Sequence, residues 1–111
     1  MYDEVMDFLN VYYLTSNNIK ENDYWNVELF NQKVYTIWAI EELRKEVEKN
    51  KNESPILVIE DFIHKMDEYS CKNVETSSIF SVARDAGMYV LDEIIFRREN
   101  HLLWKISLIS F

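Results

Sequence analysis

The scarcity of glycine and proline is the feature that most restricts the folds open to this chain. Gly87 and Pro55 are the only residues of their kinds among 111, whereas average usage is roughly 7% for glycine and 5% for proline. These two residues form many of the tight turns that hairpin-rich β folds require. The scarcity therefore favours helices joined by a few short connections, and we predict an all-α fold.

Apolar residues recur at three- and four-residue steps in four segments, which is the spacing of amphipathic helices. Asn22 or Asp23 offers an N-cap for the second segment, and Ser54 followed by Pro55 is a sharp start signal for the third. Short connections place consecutive helices side by side, so we expect a compact bundle of about four helices. The predicted helices lie near residues 2–14, 24–49, 55–71 and 77–97.

The C-terminal tail, residues 102–111, is strongly apolar. Its spacing fits either an additional helix or a short strand. An apolar segment of this extent is expected to pack against the body of the molecule or against another copy. A homodimer formed through the tail is therefore one expectation.

Gly87 interrupts the fourth predicted helix. A glycine inside a helix costs about 1 kcal/mol relative to alanine. Together with Ala83 and Ala86 it leaves a low surface in the middle of the helix. We expect a neighbouring helix or an aromatic ring to approach closely there.

Length and cysteine content indicate the number of domains and the cellular compartment of the protein. A chain of 111 residues has the usual size of one domain, so residues 1–111 are expected to form a single helical domain. Cys71 is the only cysteine, so an internal disulfide is excluded and a reducing cytoplasm is the expected setting. A free cysteine is most often a small buried apolar side chain, and we expect Cys71 to be buried. The acidic N-terminus is unlike the basic start of a signal peptide. The sequence contains no stretch of about 18 uncharged apolar residues, so no membrane span is predicted.

The net charge of −8 argues against a protein that grips nucleic-acid phosphates, which requires clustered lysine and arginine. It predicts a basic protein partner instead. Acids dominate up to Phe30 and cations dominate after Phe96. The two ends of the chain therefore carry opposite charges.

The residues expected to contact such a partner lie in the first and third predicted helices. They are Asp3, Glu4, Asp7, Asp61, His64, Asp67 and Glu68. Aromatic residues with polar tips are enriched at interface hot spots. The aromatic residues expected to be exposed anchors near the first loop are Tyr12, Tyr13, Tyr24 and Trp25.

No arrangement of residues predicts catalysis, and no cofactor or metal site is assigned. His64 with Glu60, Asp61, Asp67 and Glu68 could hold a divalent metal, but a solvated helix face has the same pattern. All-helical nucleotide pyrophosphatases hold magnesium with EExxE and ExxD motifs. Here a lysine and an isoleucine replace the required acids at positions 45 and 63. A single glycine also cannot build a phosphate-binding loop.

In general character, and not through any motif, the chain resembles the small acidic immunity and antitoxin proteins that neutralise basic nuclease toxins in bacteria. The sequence therefore predicts a non-enzymatic acidic module that binds and inhibits a basic protein. Two alternatives stay open: a nucleic-acid mimic from a mobile element and a small metal-dependent phosphohydrolase. A mimic needs carboxylates spaced like phosphates, an enzyme needs acids converging in a pocket, and an inhibitor needs a compact acidic patch with aromatic anchors.

Overall fold

The computed structural model describes residues 1–18, 20 and 25–110, and the side chains of those up to residue 100. Four α-helices form its regular structure, and the described residues contain no strand. The predicted all-α bundle of about four helices is confirmed. The helices are α1 (Tyr2–Ser16), α2 (Val27–Lys49), α3 (Pro55–Lys72) and α4 (Ser77–Ser110).

The start of α2 differs from the prediction. α2 begins at Val27 and not at residue 24, because the Oδ1 atom of Asn26 accepts a hydrogen bond from the backbone N–H of Leu29 at 3.2 Å. This is the bond by which an asparagine caps a helix. The predicted caps, Asn22 and Asp23, lie outside the described residues.

The C-terminal tail continues α4 as a helix to Ser110, so the alternative of a short strand is excluded. At about 1.5 Å per residue, the 34 residues of α4 span nearly the whole of the longest molecular dimension, 54 Å. The expected packing of the tail depends on side chains that are not described. In the described part of the chain, no helix combines the length and apolarity needed to cross a bilayer.

All four helices contribute to one hydrophobic core, in which α3 packs most closely against α4. A Cβ atom added at Gly87 would lie 2.9 Å from Ile63 Cγ1 and 3.2 Å from Phe62 Cδ1. The predicted close approach at Gly87 is therefore confirmed. The buried core residues are Val5, Phe8, Leu9, Ala39, Ile40, Leu43, Val47, Val58, Ile59, Phe62, Met66, Ala83, Ala86, Val90 and Ile94.

The acidic α1 packs mainly against α2, and several of its side chains also reach α4. Tyr12 packs against Tyr89 with ring centroids 5.0 Å apart, and the guanidinium of Arg97 lies 4.6 Å from the ring centroid of Phe8. Arg98 Nη1 also lies 3.8 Å from the sulfur of Met1. The oppositely charged ends of the chain therefore meet within one molecule.

Cys71 is exposed, and its predicted burial is wrong. The buried stripe of α3 ends at Met66. Cys71 lies in the last two turns of the helix, beyond that stripe. Its side chain therefore has no core to enter.

Candidate functional site

A groove of about 530 Å³ runs between α2 and α3, and Phe80 of α4 closes one end of it. We call it the α2–α3 groove. It exists because α2 and α3 each pack more extensively on α4 than on one another. The two helices are therefore separated along their outer sides, and the space between them opens to solvent.

The α2 wall consists of Trp38, Glu42, Glu46 and Lys49. Steps of three and four residues place these side chains on one face of the helix. Glu42 Oε1 lies 3.4 Å from the Nζ atom of Lys45. This contact is solvent-exposed and contributes little to stability, so Glu42 remains accessible to a ligand.

The α3 wall has an apolar base and a charged rim. Val58, Phe62 and Met66 follow one another at four-residue steps and are buried, so they form the base of the groove. Asp61 and Lys65 are exposed and form its rim. The same helix face therefore presents apolar and charged side chains side by side.

Three aromatic rings form one end of the groove, which we call the aromatic end. The Trp38 and Phe80 ring centroids are 6.2 Å apart at an interplanar angle of 70°, and those of Tyr69 and Phe80 are 5.3 Å apart at 55°. These are the edge-on and tilted arrangements that aromatic pairs favour. Tyr69 is 44% exposed and Trp38 is half-buried, so the aromatic end offers apolar surface that a ligand can cover.

The charge of the groove is negative. Four carboxylates, those of Glu42, Glu46, Glu53 and Asp61, line it, against the two lysines Lys49 and Lys65. A concave surface with low-dielectric walls concentrates the field of such charges. The groove therefore attracts cationic groups. We call Glu42, Glu46 and Asp61 the rim acids.

The predicted contact residues divide between two surfaces. Asp3, Glu4 and Asp7, here called the α1 acids, are exposed on α1 and do not line the groove. On α3, Asp61 lines the groove, whereas His64 is exposed outside it. Only one of the seven predicted contacts therefore belongs to the groove.

Asp67 and Glu68 are already paired with cations of the same chain. The Arg84 guanidinium donates to Asp67 Oδ1 at 2.9 Å, which links α3 to α4. The Lys72 ammonium donates to Glu68, and this hydrogen bond together with the charge of Lys72 lowers the pKa of the Glu68 carboxyl. These two acids consequently offer less unbalanced charge to a partner than Asp61 does.

The aromatic residues expected as exposed anchors have different environments. Trp25 is 86% exposed, as predicted. Tyr12 and Tyr13 are half-buried and pack against the core, so they are not exposed anchors. Tyr24 lies outside the described residues.

Trp38, Glu42 and Glu46 line the groove but were not predicted as site residues from the sequence. The four-residue spacing of these three residues was a signal in the sequence. An exposed helix face and a groove wall have the same spacing, however. The position of α3 across the groove is what distinguishes them, and it depends on tertiary packing.

Together, the fold and the groove define an all-helical domain with an acidic cleft that has an aromatic end. No group of three or more histidine, cysteine, aspartate or glutamate side chains among the described residues is arranged to hold a metal ion. Comparisons with protein-family models, with curated proteins and with solved structures find no match.

Proposed function

We propose that this protein is an acidic protein-binding module that holds a basic protein partner in the α2–α3 groove. The supporting observation is the combination of the aromatic end with the rim acids in one cleft. Partly exposed aromatic rings supply apolar contact area, which dominates the energy of many interfaces. Carboxylates beside them steer a cationic surface toward the cleft and fix its orientation.

The class of partner that fits best is a basic enzyme, such as a nuclease toxin in a bacterial cytoplasm. A nuclease site is positively charged because it must hold phosphates. An acidic module that covers such a site excludes the substrate, and its charge raises the rate of encounter. In this role the protein is an immunity or antitoxin protein and catalyses no reaction.

The groove favours this proposal over the two alternatives. Lys49 and Lys65 interrupt the acids of the groove, whereas a mimic of nucleic acid needs a continuous array of negative charges. A phosphohydrolase needs carboxylates that converge on a metal ion. The mixed charges beside aromatic rings correspond instead to the rim and anchors of a protein interface.

The experiment is affinity capture from an extract of the source organism with three immobilised proteins. These are the wild type, a groove variant (Glu42→Lys, Glu46→Lys and Asp61→Lys) and an α1 variant. The α1 variant carries Asp3→Lys, Glu4→Lys and Asp7→Lys, so both variants change the net charge equally. We expect the wild type and the α1 variant to retain the same basic protein and the groove variant to lose it.

A specific partner that the groove variant retains as well as the wild type does would contradict the proposal. Capture of an acidic partner would also contradict it. Loss of the partner from the α1 variant alone would assign binding to the α1 acids instead of the groove. A thermal melt of each variant shows that the comparison is made between folded proteins.

A further inference from the structure

The α2–α3 groove is bounded by helices on both sides, and this restricts the backbone conformation of a ligand. The backbone groups within α2 and α3 bond along their own helices. The groove therefore has no strand edge to which an extended peptide could add. A ligand that enters it must satisfy its own backbone hydrogen bonds, because unpaired backbone groups are costly to bury. A helix meets this condition.

The length of the groove agrees with that of a short helix. Along α3 the lining runs from Val58 to Tyr69, and along α2 it runs from Trp38 to Lys49. Each span is equivalent to about three helical turns, or roughly 16 Å at 1.5 Å per residue. A ligand helix of about three turns would therefore contact both walls along their full length.

The distribution of polarity in the groove is complementary to an amphipathic helix with a basic flank. Glu42 and Glu46, one turn apart on α2, present two carboxylates along one rim. On the other rim Asp61 is followed one turn later by Lys65. Lys49 offsets one of the two carboxylates on the α2 side, whereas Lys65 offsets the single carboxylate on the α3 side. The α2 rim is thus still the more negative of the two, and a ligand helix would place its lysines and arginines on that side.

The apolar surface is concentrated at the aromatic end, because the apolar base of the groove is nearly covered by its own neighbours. Val58, Phe62 and Met66 are at most 8% exposed, whereas Tyr69 is 44% exposed. One large apolar side chain at the corresponding end of the ligand would cover Tyr69, Trp38 and Phe80. Such anchors provide most of the energy in helix-in-groove recognition.

From these observations we propose that the α2–α3 groove receives a single amphipathic helix of about three turns from the partner. The helix carries a large apolar residue at the aromatic end and basic residues facing Glu42 and Glu46. This inference rests on the proposed function and identifies the structural class of the bound segment.

The test uses Trp38 as a reporter inside the groove. The chain has three tryptophans, and replacing the other two, Trp25→Phe and Trp104→Phe, leaves Trp38 as the only one. Its fluorescence then reports occupation of the groove. Backbone amide shifts of the wild-type protein provide a second readout that does not depend on these substitutions.

The probes are three synthetic peptides of about fifteen residues, which is near the minimum length at which an isolated helix is populated in water. The first has leucines at helical spacing, a terminal phenylalanine, and lysines and arginines along one flank. The second has the same composition in alternating order, which favours a strand. The third has the order of the first with glutamate at every basic position.

We expect the first peptide to bind about tenfold or more tightly than either of the others and to change the emission of Trp38. We also expect the groove variant to weaken this binding by about tenfold or more, and the α1 variant to leave it within about twofold, because charge pairs act at short range in salt. The shifted amides should lie in α2 and α3.

Equal binding of the first and second peptides in the groove would overturn the helical ligand while leaving an acidic groove that binds basic segments. Amide shifts confined to α1, or an unchanged Trp38 signal at saturation, would also overturn it. Failure of the proposed function would be seen differently. In that case the groove variant would retain the captured partner as well as the wild type does.

Discussion

Tyr12 is the residue whose ionisation is most directly coupled to folding. Its ring packs against Phe8 and Tyr89, with centroids 6.0 and 5.0 Å away. Burial raises the pKa of the Tyr12 phenol, and the nearby Tyr89 raises it further. Ionisation of Tyr12 is therefore less favourable in the folded protein than in the unfolded chain.

The raised pKa predicts a loss of stability at high pH. A group whose pKa is higher in the folded state contributes stability that is fully present below its unfolded value, about 10 for tyrosine, and is lost as the pH rises through the folded value. Tyr12→Phe should therefore lose less stability than the wild type between about pH 9 and pH 11. Thermal melts across this pH range measure the loss of stability. An equal loss in the wild type and in Tyr12→Phe would contradict the raised pKa of Tyr12.

Single residues also mark what the sequence could and could not predict. Ser54 and Pro55 predicted the start of α3 because their conformational preferences are local. The start of α2 was placed too early because Asn22, Asp23 and Asn26 have similar intrinsic preferences for the N-cap. Local chemistry does not rank them, and in the folded chain it is Asn26 whose side chain caps α2.

Among the helices, the closest packing is that of α3 against α4 at Gly87. Gly87→Ala should lower the free energy of unfolding by up to about 2 kcal/mol. The added methyl group overlaps Ile63 and Phe62, an overpacking that costs about 1 to 3 kcal/mol, against a gain in helix propensity of up to 1 kcal/mol.

Denaturant unfolding measures the effect of Gly87→Ala, and Asp92→Ala is the matched control. Asp92 lies on the same helix and is exposed, so alanine there should leave stability equal or slightly higher. If Gly87→Ala proves as stable as the control variant, the close approach of the two helices does not constrain this position.

The helices and the adjacency of consecutive helices could be predicted from the sequence. The pairing of α2 with α4, on which α2 packs more extensively than on α3, could not. Periodicity identified four amphipathic segments because each must bury one face. Val27 and Val34 share the helical spacing of the other apolar residues of α2, yet both are exposed. The burial of α2 begins at Ala39, and α1, α3 and α4 all pack on this helix. The α2–α3 groove results from that pairing and was therefore not foreseeable.

At the scale of the whole molecule, we propose that the C-terminal part of α4 joins two copies of the protein. The helix continues through an apolar tail to Ser110, and a segment this apolar is expected to be covered either by the body of the molecule or by another copy. Removing residues 102–111 should convert a dimer to a monomer, as seen by light scattering on a sizing column. The core residue nearest the tail is Ile94, so the shortened chain should keep its helical circular-dichroism spectrum. A monomeric wild type at high concentration would refute the dimer.

Charge distribution is the other property of the whole molecule that the sequence predicted only in part. The net charge of −8 indicated a basic partner but not a location. The structure pairs Asp67 with Arg84 and Glu68 with Lys72. Asp61 stays unpaired among the described residues and lies in the groove. The three acids have the same pattern in the sequence, and only their positions in the fold show that Asp61 is the one available to a partner in the groove.

The most direct test of the account is the association rate of the captured partner with the wild type, the groove variant and the α1 variant over a range of salt concentrations. We expect the wild-type rate to fall as salt rises beyond about 0.1 M, where the Debye length is about 10 Å. Reversal of the rim acids should slow association by about tenfold or more. The thermal melt should change little, because Asp61 is exposed, Glu42 and Glu46 are only partly buried, and the ion pairs of such acids contribute little to stability. The α1 variant has the same net charge as the groove variant, and its association with the partner should be slowed less. An association rate indifferent to both salt and the rim acids would contradict the central claim that the α2–α3 groove binds a basic protein.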